Sequence, residues 1–234
     1  MASIADPATA VWASGLLELL SDERDRVATA ELLRVSVIEP GQSLFRQGDD
    51  CKGVYWLLSG LVGLRRFDAQ GNSALLRLQR TGDVLGYRAL VEKCPYYNTA
   101  EAMTTCRVFF VPASRLEGLV ERNPLLGQKF LKLALRDIAD IESKCAALLT
   151  AGLKSRFLEL IMMFYKNSSA RSEDRGILID LPLQRKDMAA LLGATPESIS
   201  RLINKLDGEG RVRFDGRRVV VPNLDCLIGE QAVH

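Results

Sequence analysis

The sequence predicts an α+β chain in three parts: an N-terminal β-roll of jelly-roll type, a long helix, and a C-terminal winged helix-turn-helix. Three observations carry that expectation. Between Val35 and Val111, short apolar or β-branched segments alternate with the turn signals Pro40-Gly41, Gly48-Asp49, Ser59-Gly60, Gly71-Asn72 and Gly82-Asp83. Many short strands at such spacing belong to a roll or sandwich. Further on, Leu131, Ala134, Ile138, Ile141, Cys145 and Leu148 step alternately by three and four residues, which is a heptad seam on one helix. Between Leu183 and Leu206, two short helical patterns meet at Gly193 and Thr195-Pro196, and an Asp215-Gly216 hairpin follows.

In chain order, residues 10–33 carry apolar residues at helical spacing, divided into two helices by a cap at Ser21-Asp-Glu. Strands are expected at Ser43–Arg46, Val54–Leu58, Val62–Phe67, Ala74–Gln79, Thr99–Met103 and Thr105–Val111, the last ending at Pro112. Asn123-Pro124 then starts a helix running to about Leu149, because a capping side chain precedes a proline whose missing N–H costs nothing there. Its second apolar stripe, Leu126, Phe130 and Leu133, is free to cover the sheet while the seam meets a partner chain. Thr150-Ala-Gly152 reads as a hinge. Leu153–Tyr165 is a buried helix through Phe157, Leu158, Leu160, Ile161, Met162 and Phe164, residues 167–175 are a polar loop, and Ile177–Leu181 is a short strand. Residues 1–122 are thus assigned to the β-roll, 123–150 to a dimerisation helix and 151–234 to the winged module.

Gly193 suits the left-handed turn that ends a helix, and Thr195 suits the N-cap of the next. Helices joined so tightly cross steeply, as in a helix-turn-helix. Off the apolar stripe of the second helix (Ile199, Leu202, Ile203, Leu206) stand Glu197, Ser198, Ser200, Arg201 and Lys205, side chains suited to base edges and phosphates. Arg201 can donate two hydrogen bonds to guanine O6 and N7, and Glu197 can accept from an exocyclic amine. The bland alternative is an i, i+4 surface ion pair, worth a few tenths of a kcal/mol. After them, Arg211–Phe214 and Arg217–Val221 form a hairpin on the favoured Asp215-Gly216 turn.

Composition bounds the rest. The 234 residues are 47% hydrophobic and 26% charged, with a net charge of +2, so any affinity for nucleic acid rests on local clustering. The stretch Leu183–Arg218 carries eight Lys or Arg against five Asp or Glu. Five scattered cysteines without a C-x-x-C pair, and a start without a secretory pattern, point to reduced thiols in the cytoplasm, and no apolar run approaches the length of a membrane span.

The whole order resembles the cAMP receptor protein/FNR superfamily of bacterial transcription regulators. The resemblance covers nearly the whole chain. It is carried by Pro40-Gly-Gln-Ser-Leu-Phe-Arg-Gln-Gly-Asp49, Leu58-Ser-Gly-Leu-Val62, Gly82-Asp-Val-Leu-Gly86 and, most specifically, Glu197-Ser-Ile-Ser-Arg201, the Glu-x-x-Ser-Arg pattern of the FNR branch. It implies a β-roll like the cyclic-nucleotide-binding domain, a homodimer on double-stranded DNA, contact with RNA polymerase, and half-sites like TTGAT in an inverted repeat. Base readout would fall to Glu197, Ser200 and Arg201. Phosphate contacts would fall to Ser198, Lys205, Arg211, Arg213, Arg217 and Arg218. Two alternatives stand beside this reading: a constitutive regulator whose β-roll is scaffold, and a sensor that acts through protein partners.

The signal is less legible. Where the cyclic-nucleotide branch holds the ribose with Glu and the phosphate with Arg, this chain has Arg88 and Asn98, so a cyclic nucleotide loses both contacts. No cysteine precedes Cys51, against the N-terminal cysteine cluster of iron–sulfur FNR proteins, and the late cluster cysteine aligns with Phe109 rather than Cys106. The one histidine is His234, which gives haem or a metal-dependent enzyme little to bind. Neither cluster nor haem is supported, and no catalytic role is expected. Three thiols remain as effector or redox candidates: Cys94 in a loop beside Lys93, where it would be exposed with a lowered pKa; Cys106 on one strand face with Val108 and Phe110; and Cys145 in the seam, facing its own copy. For each, a small core residue or plain surface thiol is the simpler reading.

Overall fold

The computed structural model describes residues 35–167, 171–173 and 176–224, together with residue 24. The two expected helices within residues 10–33, apart from residue 24, and Cys226 and His234 lie outside the described residues. Two compact units divide between Ala139 and Asp140, inside the long helix.

The first unit is the β-roll. Its strands are β1 (Val35–Ile38), β2 (Ser43–Phe45), β3 (Gly53–Ser59), β4 (Leu61–Phe67), β5 (Ser73–Arg80), β6 (Val84–Leu85), β7 (Thr99–Ala102) and β8 (Cys106–Pro112). They form two antiparallel sheets, ordered β1-β8-β3-β6 and β2-β7-β4-β5. Tight corners make this possible. At Gly60, between β3 and β4, φ is 100°, and a Cβ would stand 2.6 Å from the Thr105 carbonyl oxygen, so only glycine fits.

Strand β8 shows how the core is divided. Cys106 and Val108 join a cluster drawn from both sheets, with Leu57, Val62, Leu85, Ala100 and Ala102. Phe109 and Val111, on the opposite face, join Trp56, Leu58, Leu116, Leu126, Phe130 and Leu133 beneath the helices. Cys106 and Val108 are therefore buried together as expected, whereas Phe110 on the same strand is only half-buried. The stripe Leu126, Phe130 and Leu133 covers the roll as its spacing implies.

Two helices of the roll escape the sequence reading. Tyr87–Glu92 is short, and Ala113–Arg122 follows Pro112 directly, so the region to residue 122 is not purely strand. Both are brief amphipathic pieces whose apolar residues (Leu90; Leu116 and Leu119) pack into the core that the sheets line. The long helix spans Pro124–Thr150. Asp137 on it accepts from Arg77 Nη2 and from the Tyr87 hydroxyl, each at 2.7 Å, tying β5 and the short helix to it. Burial and this carboxylate push the Tyr87 phenol pKa well up.

The second unit contains the helix Leu153–Asn167, the two helices Arg185–Leu192 and Pro196–Gly208, and a sheet ordered β11-β12-β10-β9. Its strands are β9 (Arg171–Glu173), β10 (Gly176–Asp180), β11 (Arg213–Asp215) and β12 (Arg218–Val221). Strand β9 corrects the expected loop: residues 171–173 pair with β10 in an antiparallel ladder, which composition does not reveal. Phe157, Ile161, Ile179, Ile199, Leu206, Val219 and Val221 are fully buried, while Met162, expected to be buried, is only half-buried. The hairpin register also differs. Asp215 pairs with Arg218, so the two-residue loop is Gly216-Arg217. Gly216 has φ 59° and Arg217 a negative φ, the signs of a II′ turn with glycine first.

Candidate nucleic-acid interface

The junction of the two short helices is built as its residues dictate. The first helix opens with the Asp187 carboxylate accepting from the Gln184 N–H at 3.3 Å, and closes on Gly193 at φ 59°, ψ 46°. A side chain at Gly193 would collide with Leu148, 2.6 Å away. The second helix starts at Thr195, whose Oγ1 accepts from the Ser198 N–H at 3.2 Å, with Pro196 in the first turn. Ile199, Ile203 and Leu206 anchor its inner face. Arg156 fastens the break before this module by donating to the carbonyls of Leu192 (3.1 Å) and Ala151 (2.5 Å).

The outer face presents Glu197, Arg201 and Lys205, all exposed, with Ser198 and Ser200 half-exposed. The expected alternative, a Glu197–Arg201 ion pair, does not form among the described residues. Arg201 Nη2 donates instead to Ser198 Oγ at 3.2 Å, and Ser198 Oγ shares a hydrogen bond with Thr195 Oγ1 at 3.1 Å. Glu197 turns toward the helix start. Its own backbone N–H first, then the Thr195 hydroxyl and the charge of Arg201, hold its pKa below the usual carboxylate value, so it stays ionised through neutral pH. Ser200 donates to the Pro196 carbonyl at 2.9 Å. A carbonyl can only accept, so the Ser200 proton is committed inward and its lone pairs face outward.

The other basic residues differ in freedom. Arg213 and Arg217 are exposed on the hairpin. Arg218 is paired with Asp180 at 3.3 Å and Lys205 with Glu209 at 3.9 Å, both exposed pairs of little energetic weight. Arg211 is half-buried. Arg185 lies over the Phe214 ring at 4.7 Å, and burial lowers its pKa; it braces the hairpin against the first helix.

Along the long helix, Leu131 (60% exposed), Ile138 (52%), Ile141, Leu148 and Cys145 are open to solvent as the seam requires. Ala134 departs from it: it is half-buried against the roll's core. Leu135, 57% exposed, stands beside the seam instead. A straight helix at 3.6 residues per turn drifts off a 3.5-residue repeat, and an i+4 step from Leu131 would have found Leu135.

The β-roll positions are arranged differently. Arg88 lies 4.0 Å from Glu92 and 4.9 Å from the Tyr97 ring centroid. Asn98 Oδ1 is buried without a hydrogen-bond partner. Cys94 is half-buried rather than exposed, because its N–H donates to the Ala89 carbonyl and turns it against the core. Cys106 is fully buried, and desolvation pushes its thiol pKa up, the opposite of a reactive thiolate. Among the described residues no three His, Cys, Asp or Glu side chains gather as a metal site, and no helix is long and apolar enough to cross a membrane.

A β-roll, a long helix and a winged helix-turn-helix with an exposed polar face define a two-part DNA-binding regulator. Residues 35–123 match the cyclic nucleotide-binding domain family and residues 155–229 the Crp-like helix-turn-helix domain family. The fumarate and nitrate reduction regulatory proteins of Salmonella typhimurium and Escherichia coli are each 28% identical over 197 residues, which span 83% of this chain and 77% of theirs. The solved structure of FixK2 from Bradyrhizobium japonicum shares the fold with a TM-score of 0.70 at 20% identity, covering 86% of this chain and 98% of its own. The chain belongs to the cAMP receptor protein/FNR superfamily and is a DNA-binding transcription regulator, not an enzyme.

Proposed function

We propose that the protein works as a homodimer that reads an inverted repeat of TTGAT-like half-sites, with centres roughly 10 bp apart so that two recognition helices enter successive major grooves. The observation that carries this is the outer face of the second helix. Arg201 has no acidic partner there, and Glu197 is ionised beside it, in the Glu-x-x-Ser-Arg order. Arg201 reads guanine, Glu197 accepts from an exocyclic amine, and Ser200 acts as an acceptor because its proton is committed to Pro196. Ser198, Lys205, Arg211, Arg213, Arg217 and Arg218 hold the backbone, which positions without specifying.

Pairing falls to Leu131, Leu135, Ile138, Ile141, Cys145 and Leu148, with Ala134 at the margin. Leu131, Leu135 and Ile138, each more than half exposed on this helix, with Ile141 at 48%, favour a second copy over water. In this reading residues 1–122 sense, 123–150 pair and 151–234 bind DNA in the cytoplasm, with RNA polymerase as the downstream partner. The signal, redox or a small ligand, reaches the long helix through Arg77, Tyr87 and Asp137. It is not a cyclic nucleotide held in the family's usual way, since Arg88 and Asn98 offer neither ribose acceptor nor phosphate cation.

Anisotropy titration at fixed salt tests the reading. A TTGAT inverted repeat should bind at least about 10³-fold more tightly than scrambled duplex. Equal affinity for both would defeat it, and binding by a single protomer would defeat the dimer.

A further inference from the structure

We propose that Ser198 is a positioning residue for base readout: its hydroxyl holds the Arg201 guanidinium in a fixed rotamer before DNA arrives. The inference rests on the readout reading above and deepens it. Arg201 is exposed and has four rotatable side-chain bonds, so an unrestrained guanidinium would lose that freedom on meeting a guanine. In the free protein one N–H of its fork is already taken by Ser198 Oγ at 3.2 Å. Ser198 is itself fixed, since its hydroxyl is bonded to Thr195 Oγ1 at 3.1 Å and its backbone N–H to the same oxygen at 3.2 Å. The chain Thr195, Ser198, Arg201 therefore runs from the helix cap to the reading group, and Ser198 is half-buried within it.

The choice of a hydroxyl is what makes the device useful. A carboxylate at residue 198 would neutralise the cation, and an apolar side chain would leave it loose. A neutral acceptor orients the fork while leaving its charge and its remaining N–H donors for O6 and N7. Glu197 closes no hydrogen bond on the fork: it turns back to its own N–H and Thr195 and acts on Arg201 through charge alone. The role is separate from phosphate contact, and the two differ in what they do to sequence choice. A lost phosphate contact weakens every duplex alike, whereas a lost positioning contact weakens only the duplex whose guanine Arg201 reads.

The test uses the full-length protein and two duplexes, the TTGAT inverted repeat and the same duplex with the G·C pair of each half-site changed to A·T. The readout is the ratio of the two affinities. Ser198→Ala should shrink that ratio by about 2- to 10-fold, the cost of immobilising one long side chain. Ser198→Thr, which keeps the hydroxyl, should restore it. In an Arg201→Ala background, Ser198→Ala should leave the ratio unchanged. The cap survives these changes, because the bond from residue 198 to Thr195 Oγ1 that closes it is donated by the backbone, and unchanged thermal unfolding checks this. An undiminished ratio in Ser198→Ala, or a loss equal on both duplexes, overturns the proposal alone. A wild-type protein that does not distinguish the duplexes overturns the readout reading as well, and the two failures are thus separable.

Discussion

Arg88 and Arg201 are both exposed arginines on short helices with an acidic residue four positions away, and they behave differently. Arg88 lies within 4.0 Å of Glu92 and over the Tyr97 ring, so its neighbours share its charge. Arg201 has Glu197 one turn before it, the more favourable order for an ion pair in a helix, yet the pair does not close. The reason lies in the position of Glu197. In the first turn of its helix it meets its own backbone N–H and the Thr195 hydroxyl, which hold its carboxylate and lower its pKa. Arg201 turns to a neutral hydroxyl instead. The lesson is that a surface cation's use depends on whether its own protein has already supplied an anion.

Breaking the pairing helix should have the largest effect on this comparison, since it removes one of two Arg201 side chains from the palindrome. Replacing Leu131 and Ile138 together by Asp should give a monomer by sedimentation and lower palindrome affinity by about 10²- to 10⁴-fold, with half-site affinity little changed. Next comes Arg201→Ala, expected to cost roughly 1–3 kcal/mol on the TTGAT site and to relax choice at the guanine; an equal loss on random DNA would show the arginine to be a backbone contact. The wing sharpens the contrast between reading and holding. Arg213→Ala or Arg217→Ala should weaken all duplexes and reduce the slope of log affinity against log salt by about 0.9 each, measurable by titration across salt concentrations.

Glu197 gives a smaller effect confined to acid. Its pKa is depressed by folding, so its carboxylate is fully present above the unfolded value of 4.5 and is lost as pH falls through the lower folded value. Discrimination at the base read by Glu197 should therefore be flat from pH 8 to pH 6, and a change within that window would implicate another group. Arg88→Ala should have the least effect, within about 0.5 kcal/mol on stability, and DNA affinity should be unchanged. Loss of affinity there would mean that the two arginines are not as different as their partners suggest.

Much of this was legible in local chemistry. Gly193, Thr195 and Pro196 each have a conformational preference that a helix junction uses, and all three are found in those roles. The stripe Leu126, Phe130 and Leu133 was readable because a helix shows its buried face through spacing alone. Three other features were not readable. The helix Ala113–Arg122 is too short for its periodicity to stand out, and β9 is a polar stretch whose pairing with β10 leaves no apolar alternation in the sequence. The hairpin slipped by one residue because Asp215-Gly216 and Gly216-Arg217 both satisfy the turn, and cross-strand pairing with β10 and β11 selects between them.

By itself, then, the sequence determined what depends on neighbours a few residues apart: caps, turns, helical stripes and the order Glu197-Ser-Ile-Ser-Arg201. Only the tertiary structure decided what depends on groups distant in the chain or competing for one partner. It turned Ala134 to the core and left Leu135 beside the seam, buried Cys106 between two sheets, and brought Arg77 and Tyr87 to Asp137. It also gave Arg201 to Ser198 rather than Glu197. Spacing shows which side chains are within reach of each other, but the choice among them is set by geometry and by what else each acceptor already holds.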